Sequence, residues 1–148
     1  MAHLVTPLGP VSVRLQPGGV AALDWRADPA PWTDPLEGEA LAQLAAYFDG
    51  RLTEFSLPIA LAPGLTGQVQ RQMLAIPWGE TRSYGDLSRA LGTPAQAIGQ
   101  ACGANPLPII VPCHRILGAR TLGGFSAPGG VEAKVWLLRH EGAAGLLI

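Results

Sequence analysis

The sequence predicts an α+β chain of two units. A hairpin-rich unit spans residues 1–63, and a helical unit with a helix-turn-helix spans residues 64–148. Three observations carry this prediction. Apolar and polar residues alternate near the N-terminus, apolar residues recur at helical spacing in several later segments, and Pro63-Gly64 separates the two patterns.

In the first unit, Val11-Ser12-Val13-Arg14-Leu15 alternates as a half-buried strand does. Pro17-Gly18-Gly19 turns the chain, and Val20-Ala21-Ala22-Leu23 is the partner strand. Pro29, Pro31 and Pro35 mark a loop. Asp34 is placed to cap a helix, with Pro35 at its first position and Glu37 three residues on. Leu41, Leu44, Ala45 and Phe48 continue that helix and Gly50 stops it. Phe55, Leu57, Ile59 and Leu61 read as a period-two strand or an extended linker.

In the second unit, a helix through Val69, Met73 and Leu74 ends before Pro77. Ser83 caps a short helix from Tyr84 to Leu91, with Asp86 three residues after the cap. Gly92-Thr93-Pro94 makes a tight turn into a helix from about Ala95 to Gly103. Two short helices around such a turn match a helix-turn-helix, a pattern that plain helical hairpins share. The second of these helices is built of small residues, which permits close approach of a partner. Against DNA it suits a shallow or narrow groove better than base-edge readout by long side chains. Cys102 on it is most simply a small apolar filler.

Composition bounds the function. At 148 residues the chain makes one compact unit or two very small ones. A hydrophobic content of 48% excludes a disordered chain. No apolar run approaches ~18 residues, so no membrane span is expected. Met1-Ala2-His3-Leu4 lacks a basic stretch before an apolar core, so no signal peptide is expected and the cytoplasm is the default compartment. Two cysteines make no disulfide scaffold and cannot alone complete a four-ligand zinc site. The net charge of −1 hides an asymmetry: residues 1–63 carry three basic against seven acidic residues, and residues 64–148 seven against four. Any polyanion contact belongs to the second half, with modest affinity lost readily as salt rises.

The chemistry centres on residues 105–116. Ile109-Ile110-Val111 is a short β-branched apolar run that should be buried, and Pro112 fixes the backbone just before Cys113. A thiol becomes a nucleophile on ionisation, which a neighbouring base or cation favours. His114 and Arg115 follow directly, although neighbours on a strand face opposite ways, so a turn or a water bridge is needed to bring them to the sulfur. Asn105 serves either to bridge this loop or simply to turn the chain before Pro106. On Cys-His alone, an inert buried cysteine beside a chance histidine is the simpler reading. Gly123-Gly124-Phe125-Ser126 and Gly129-Gly130 form a glycine-rich loop without the Lys-Ser/Thr ending of a phosphate loop, better suited to admitting a flat ligand. On the last helix, Glu141 is either a third group that orients His114 or a solvated residue before Gly142.

These blocks together resemble the O6-alkylguanine-DNA alkyltransferases. The carrying motifs are Ile76-Pro77-Trp78-Gly79-Glu80-Thr81-Arg82-Ser83-Tyr84-Gly85-Asp86-Leu87, Asn105-Pro106, Ile109-Ile110-Val111-Pro112-Cys113-His114-Arg115-Ile116, Gly123-Gly124-Phe125, and Lys134 with Leu137-Leu138 to Glu141-Gly142. The similarity is dense from about 65 to 142 and looser from 7 to 63. It implies a ribonuclease H-like α/β unit over 1–63 and a DNA-binding alkyl-acceptor domain over 64–148, with the helix-turn-helix in the minor groove. The reaction it implies is direct reversal of O6-alkylguanine damage in double-stranded DNA. The damaged base flips out and its alkyl group passes once, irreversibly, to Cys113.

The resemblance also assigns roles. His114 removes the thiol proton through a water, Glu141 orients His114, Tyr84 assists flipping and guanine departure, and Asn105 holds the loop of Cys113. Gln96, Ala97, Arg115, Arg82, Ser83 and Tyr84 face DNA. Gly124, Phe125, Ser126, Val111 and Pro112 form the base pocket. No cofactor or metal is implied, and the protein would be a monomer. The sequence departs from the family pattern in places. Gln96 stands where an arginine is usual, after a turn about two residues short. Leu65 and Gln70 replace aromatic residues, Phe125 replaces a frequent tyrosine, and Ala127-Pro128 looks inserted. Two rival readings are a lesion-binding relative that senses damaged DNA without transfer, which Cys113 argues against, and a Cys-His acyl hydrolase, for which no oxyanion hole is visible.

Overall fold

The computed structural model describes residues 2–118, 123–125 and 127–143. It has the mixed helix-and-sheet class expected, in two compact units, Met1–Leu61 and Ala62–Ile148.

The first unit is an antiparallel meander, β1 (Leu4–Thr6), β2 (Gly9–Gln16) and β3 (Gly19–Asp24), covered by α1 (Pro35–Phe48). The hairpin β2–β3 lies where the alternation places it, with a bulge at Arg14/Leu15. β1 was not expected: three residues are too few to show a period, and its turn is held by Thr6, whose Oγ1 accepts the Leu8 N–H. Asp34 caps α1 by accepting the Leu36 N–H at 2.8 Å, and Pro35 occupies the first turn. Val11, Val13, Val20, Leu23, Leu41, Leu44 and Tyr47 fill the core. Ser12 departs from simple alternation and is buried as well. The 55–61 segment is the extended-linker alternative. It runs beside the start of β3 as an isolated bridge at Ile59, where Val20 exchanges hydrogen bonds with Pro58 and Ala60 at 2.9 Å each. Gly19 permits this contact, since a Cβ there would stand 2.2 Å from the Pro58 carbonyl oxygen.

The second unit packs α2 (Gly64–Leu74), α3 (Tyr84–Leu91) and α4 (Ala95–Gly103) together, with α5 (Val131–His140) against a 3-10 turn at Cys113–Arg115. Both halves of the capping box at the start of α3 are present: Ser83 Oγ accepts the Asp86 N–H at 3.0 Å, and Asp86 Oδ2 accepts the Ser83 N–H at 2.9 Å. Gly92 ends α3 in the left-handed region at φ 62°, and Pro94 leads into α4. Two short parallel strands, β4 (Arg82–Ser83) and β5 (Ile116–Leu117), pair the entry of α3 with the exit of the 3-10 turn.

The run Ile109-Ile110-Val111 is buried as expected, but it is not a rigid strand. Ile109 has φ 73°, and the Ile110 N–H reaches the Pro108 carbonyl at 2.9 Å, which closes a three-residue turn on a β-branched residue. A second such turn follows at Pro112, closed by the Cys113 N–H on the Val111 carbonyl at 2.8 Å. The strained Ile109 conformation costs on the order of 1–3 kcal/mol. It is held in place by the burial of its own side chain and by Asn105.

Candidate alkyl-acceptor site

Cys113 opens the 3-10 turn and is 6% exposed. It lines a cavity of about 240 Å³ together with Tyr84, Gly99, Cys102, Gly103, Gly124 and Phe125. That volume is at the small end for ligand sites and has room for one flat ring system. A larger opening of about 660 Å³ runs along α5 beside Trp136 and His140, but it holds no nucleophile. The chemistry therefore belongs to the smaller cavity.

Asn105 brackets the loop. Its Nδ2 donates to the Val111 carbonyl at 3.1 Å, and its Oδ1 accepts the Leu107 N–H at 3.1 Å. Burial pushes the Cys113 thiol up to about 11. Opposing it are the Asn105 amide, the Lys134 charge and the backbone N–H groups of Cys113 and His114. The resting thiol is therefore protonated at neutral pH, and a base must take the proton for the sulfur to react.

The candidate for that base is the next residue. His114 is fully buried, and its Nε2 lies 2.6 Å from Glu141 Oε2. Burial opposes ionisation of Glu141, but hydrogen bonds and charge from His114 and Arg115 outweigh it and hold the carboxyl at about 2. An ionised carboxylate can only accept, so His114 carries its proton on Nε2 and presents Nδ1 as the basic nitrogen. Nδ1 is buried and has no hydrogen-bond partner among the described residues. Burial lowers the His114 pKa against the pull of Glu141, so the imidazole is neutral and ready to accept.

Arg115 corrects an expectation. It does not face DNA: it is buried, with Nε 2.8 Å from Glu141 Oε1, NH2 3.0 Å from Oε2 and NH1 on the Ile76 carbonyl at 2.5 Å. The fork fits the carboxylate and anchors the same acid that orients His114. Val111 and Pro112, expected in the base pocket, do not line the cavity; they form the buried support of Cys113. Gly124 and Phe125 do line it, and the Phe125 ring meets His114 edge-on at 6.3 Å. Ser126 lies outside the described residues.

Tyr84, first residue of α3, is half-buried in the cavity wall, with Gly123 packed so closely that an added Cβ would meet its hydroxyl at 2.9 Å. Burial, then the charges of Cys102 and Cys113, raise its pKa and keep the phenol a proton donor. Gln96 is exposed near the start of α4, and Ala97 is half-buried beside it. Among the described residues, added Cβ atoms at Gly99 and Gly103 would meet nothing within 4 Å, so this face of α4, which borders the cavity, is open. Arg82 is partly exposed and paired with Glu80 at 3.2 Å, while the Ser83 hydroxyl is engaged in the α3 cap.

Three residues were not singled out as site residues. Lys134 is buried; its Nζ donates to the Ile116 carbonyl at 2.6 Å and to the Gly124 carbonyl at 3.2 Å, and burial pushes its pKa down to about 8. It shares the inner face of α5 with Leu137 and Leu138, at a spacing that could have signalled its burial. Cys102 lines the cavity as well as filling space. Gln70 hydrogen-bonds Asn105 at 3.0 Å, which no local pattern signals. No group of three or more metal-ligating side chains occurs among the described residues, and none of the helices searched is long and apolar enough to cross a membrane.

Residues 65–143 match the family described as 6-O-methylguanine DNA methyltransferase, DNA binding domain. A Mycobacterium bovis protein named methylated-DNA–protein-cysteine methyltransferase is 43% identical over 121 residues, covering 79% of this chain and 69% of the relative. An Archaeoglobus fulgidus protein of the same name is 40% identical over 111 residues, covering 72% and 76%. A crystal structure of Mycobacterium tuberculosis OGT in complex with DNA superposes with a TM-score of 0.82 at 36% identity, covering 95% of this chain and 91% of that one.

Proposed function

The chain belongs to the 6-O-methylguanine DNA methyltransferase family, and on that premise we propose that it repairs O6-alkylguanine in double-stranded DNA by moving the alkyl group onto Cys113. The observation that carries this reading is the orientation of His114: its 2.6 Å bond to Glu141 leaves Nδ1 as the base, one residue from the cavity cysteine.

The reaction is an in-line displacement. A water passes the Cys113 proton to His114 Nδ1, and Glu141 stabilises the imidazolium that forms. The sulfur attacks the alkyl carbon, a C–S bond forms and the C–O6 bond breaks. The electron pair left on O6 is neutralised by a proton that Tyr84 donates. A thioether has no easy reverse reaction, so each molecule acts once.

The damaged base reaches the sulfur by leaving the stack. The α3–turn–α4 pair acts as a helix-turn-helix whose open, small-residue face enters the minor groove. Gln96 and Ala97 lie at the groove, with Arg82 and the start of α3 beside it. Gln96 hydrogen-bonds the orphaned partner base. Residues 1–63 form an abbreviated ribonuclease H-like unit, residues 64–148 the alkyl-acceptor domain, and the protein works as a cytoplasmic monomer.

The test is a duplex with one O6-methylguanine, followed by the mass of the Cys113 peptide. One methyl replacing one hydrogen, at a yield near one per protein, is expected. A retained duplex without the mass gain would instead make this chain a lesion sensor.

A further inference from the structure

Gln70 is a buried polar side chain that the reaction leaves without a purpose. It lies on the inner face of α2 and is 1% exposed. Its side-chain oxygen accepts the Ala62 N–H at 2.8 Å, and its Nε2 donates to Asn105 Oδ1 at 3.0 Å. A backbone N–H can only donate, so Ala62 fixes which end of the Gln70 amide faces Asn105. Ala62 is itself held close, because its carbonyl lies over Gly67, where a Cβ would stand 2.0 Å away. Asn105 Oδ1 therefore receives two donors, Gln70 and the Leu107 N–H. Its NH2 is turned the other way, toward the Val111 carbonyl and the Cys113 sulfur.

We propose that Gln70 is a positioning residue for Cys113 that acts through Asn105, locking the Asn105 amide with its N–H face toward the sulfur. The chain of bonds runs in one direction, from Ala62 through Gln70 and Asn105 to the loop that carries Cys113. With Gln70 present, turning the Asn105 amide over breaks two accepted bonds and aims an oxygen at the forming thiolate. Without it, the Leu107 N–H and the bond donated to the Val111 carbonyl still oppose the turn, but the buried side-chain donor that holds Oδ1 on the far side is gone. The other groups facing the sulfur act from separate elements: Lys134 from α5, Cys102 from α4, Tyr84 from α3, and His114 alongside. The proposal rests on Cys113 being the nucleophile, and its test is independent of DNA.

Gln70→Met removes both hydrogen-bonding ends at nearly constant volume. The readout is the pH midpoint of Cys113 carbamidomethylation by iodoacetamide, followed on the Cys113 peptide by mass and measured well below each variant's melting temperature. The midpoint is expected to rise by about one unit. With Asn105→Ala already in place, Gln70→Met should move it no further. An unchanged midpoint in the single variant, or the same rise in both backgrounds, overturns the proposal. Should Gln70→Met not fold, Gln70→Glu keeps the shape and the Ala62 bond, and at the alkaline pH of the midpoint its ionised carboxylate can only accept from Asn105, which turns the amide over. It too should raise the midpoint, and a wild-type midpoint there overturns the proposal equally. A protein that shows these shifts but takes no methyl from the O6-methylguanine duplex would refute the repair function while leaving the role of Gln70 standing.

Discussion

Cys102 and Cys113 face the same cavity from two differently built walls. Cys102 sits in the regular backbone of α4. Burial and the neighbouring Cys113 push its thiol up to about 12, with the Lys134 charge opposing them. Cys113 follows two tight turns and starts a third, and four groups oppose the same burial: the Asn105 amide, Lys134 and two backbone N–H groups. A helix commits its N–H groups to its own carbonyls, whereas the turn at Cys113 leaves the N–H groups of Cys113 and His114 near enough to the sulfur to favour its thiolate. Exposure does not separate the two thiols, since both are buried. The supply of donors and the neutral imidazole on the next residue do.

The comparison breaks outright if the nucleophile is misassigned. Cys113→Ser should accept no methyl from an O6-methylguanine duplex while still retarding that duplex in a gel; a methylated variant would transfer the role to Cys102. Next in size is the base. Glu141→Gln should slow methyl uptake about 100-fold, the usual scale of a lost acid–base contribution. It also leaves the buried Arg115 charge without its partner, which should cost about 3–5 kcal/mol in denaturant unfolding.

The pH dependence of stability has a definite sign. The folded Glu141 carboxyl, at about 2, lies below its ordinary 4.5, so its contribution is complete above pH 4.5 and disappears as pH falls toward 2. His114 adds to the same trend from higher pH. Its pKa is lowered from 6.5, so the unfolded chain takes up a proton first as pH drops below that value. Melting temperature should therefore be flat near neutrality and fall in two stages on acidification. In Glu141→Gln the lower stage should be missing.

A smaller effect sharpens the contrast between the walls. At limiting iodoacetamide and pH 8, the Cys113 peptide should be labelled with about tenfold preference over that of Cys102, as one pKa unit implies. Equal labelling would mean that the donors around Cys113 do not act on its sulfur. Smallest is Gln96→Arg, which should speed methyl uptake from duplex several-fold and leave uptake from the free base unchanged, as expected if Gln96 acts only on flipping. Equal gains on both substrates would place its effect elsewhere.

What could be read from the sequence was local. The α1 cap at Asp34, the α3 box at Ser83 and Asp86, and the stop at Gly92 each lie within a few residues of what they control, and each stands where the residues place it. The candidate site was legible as a set of residue types around Cys113, but not as an arrangement. Arg115 meets Glu141 across 26 residues, and Gln70 meets Asn105 across 35, so no spacing signals either bond. The turn at Ile109 contradicts the preference of a β-branched residue, and such contradictions are made by tertiary contacts rather than by local propensity. Lys134 was legible in principle, because a lysine in register with Leu137 and Leu138 must bury its charge and find acceptors.

The two-residue ribbon β4–β5 gives the cavity a jaw. Tyr84 begins immediately after β4, and Cys113 lies three residues before β5. The phenol and the thiol thus ride on arms joined at one hinge, where Arg82 pairs with Ile116 and Ser83 with Leu117. Lys134 bolts that hinge by holding the Ile116 carbonyl, and its second bond, to Gly124, ties in the lip of the cavity. The gape between phenol and thiol is therefore set a few residues from the two groups. The open face of α4 can change in sequence without altering how far apart the jaws stand.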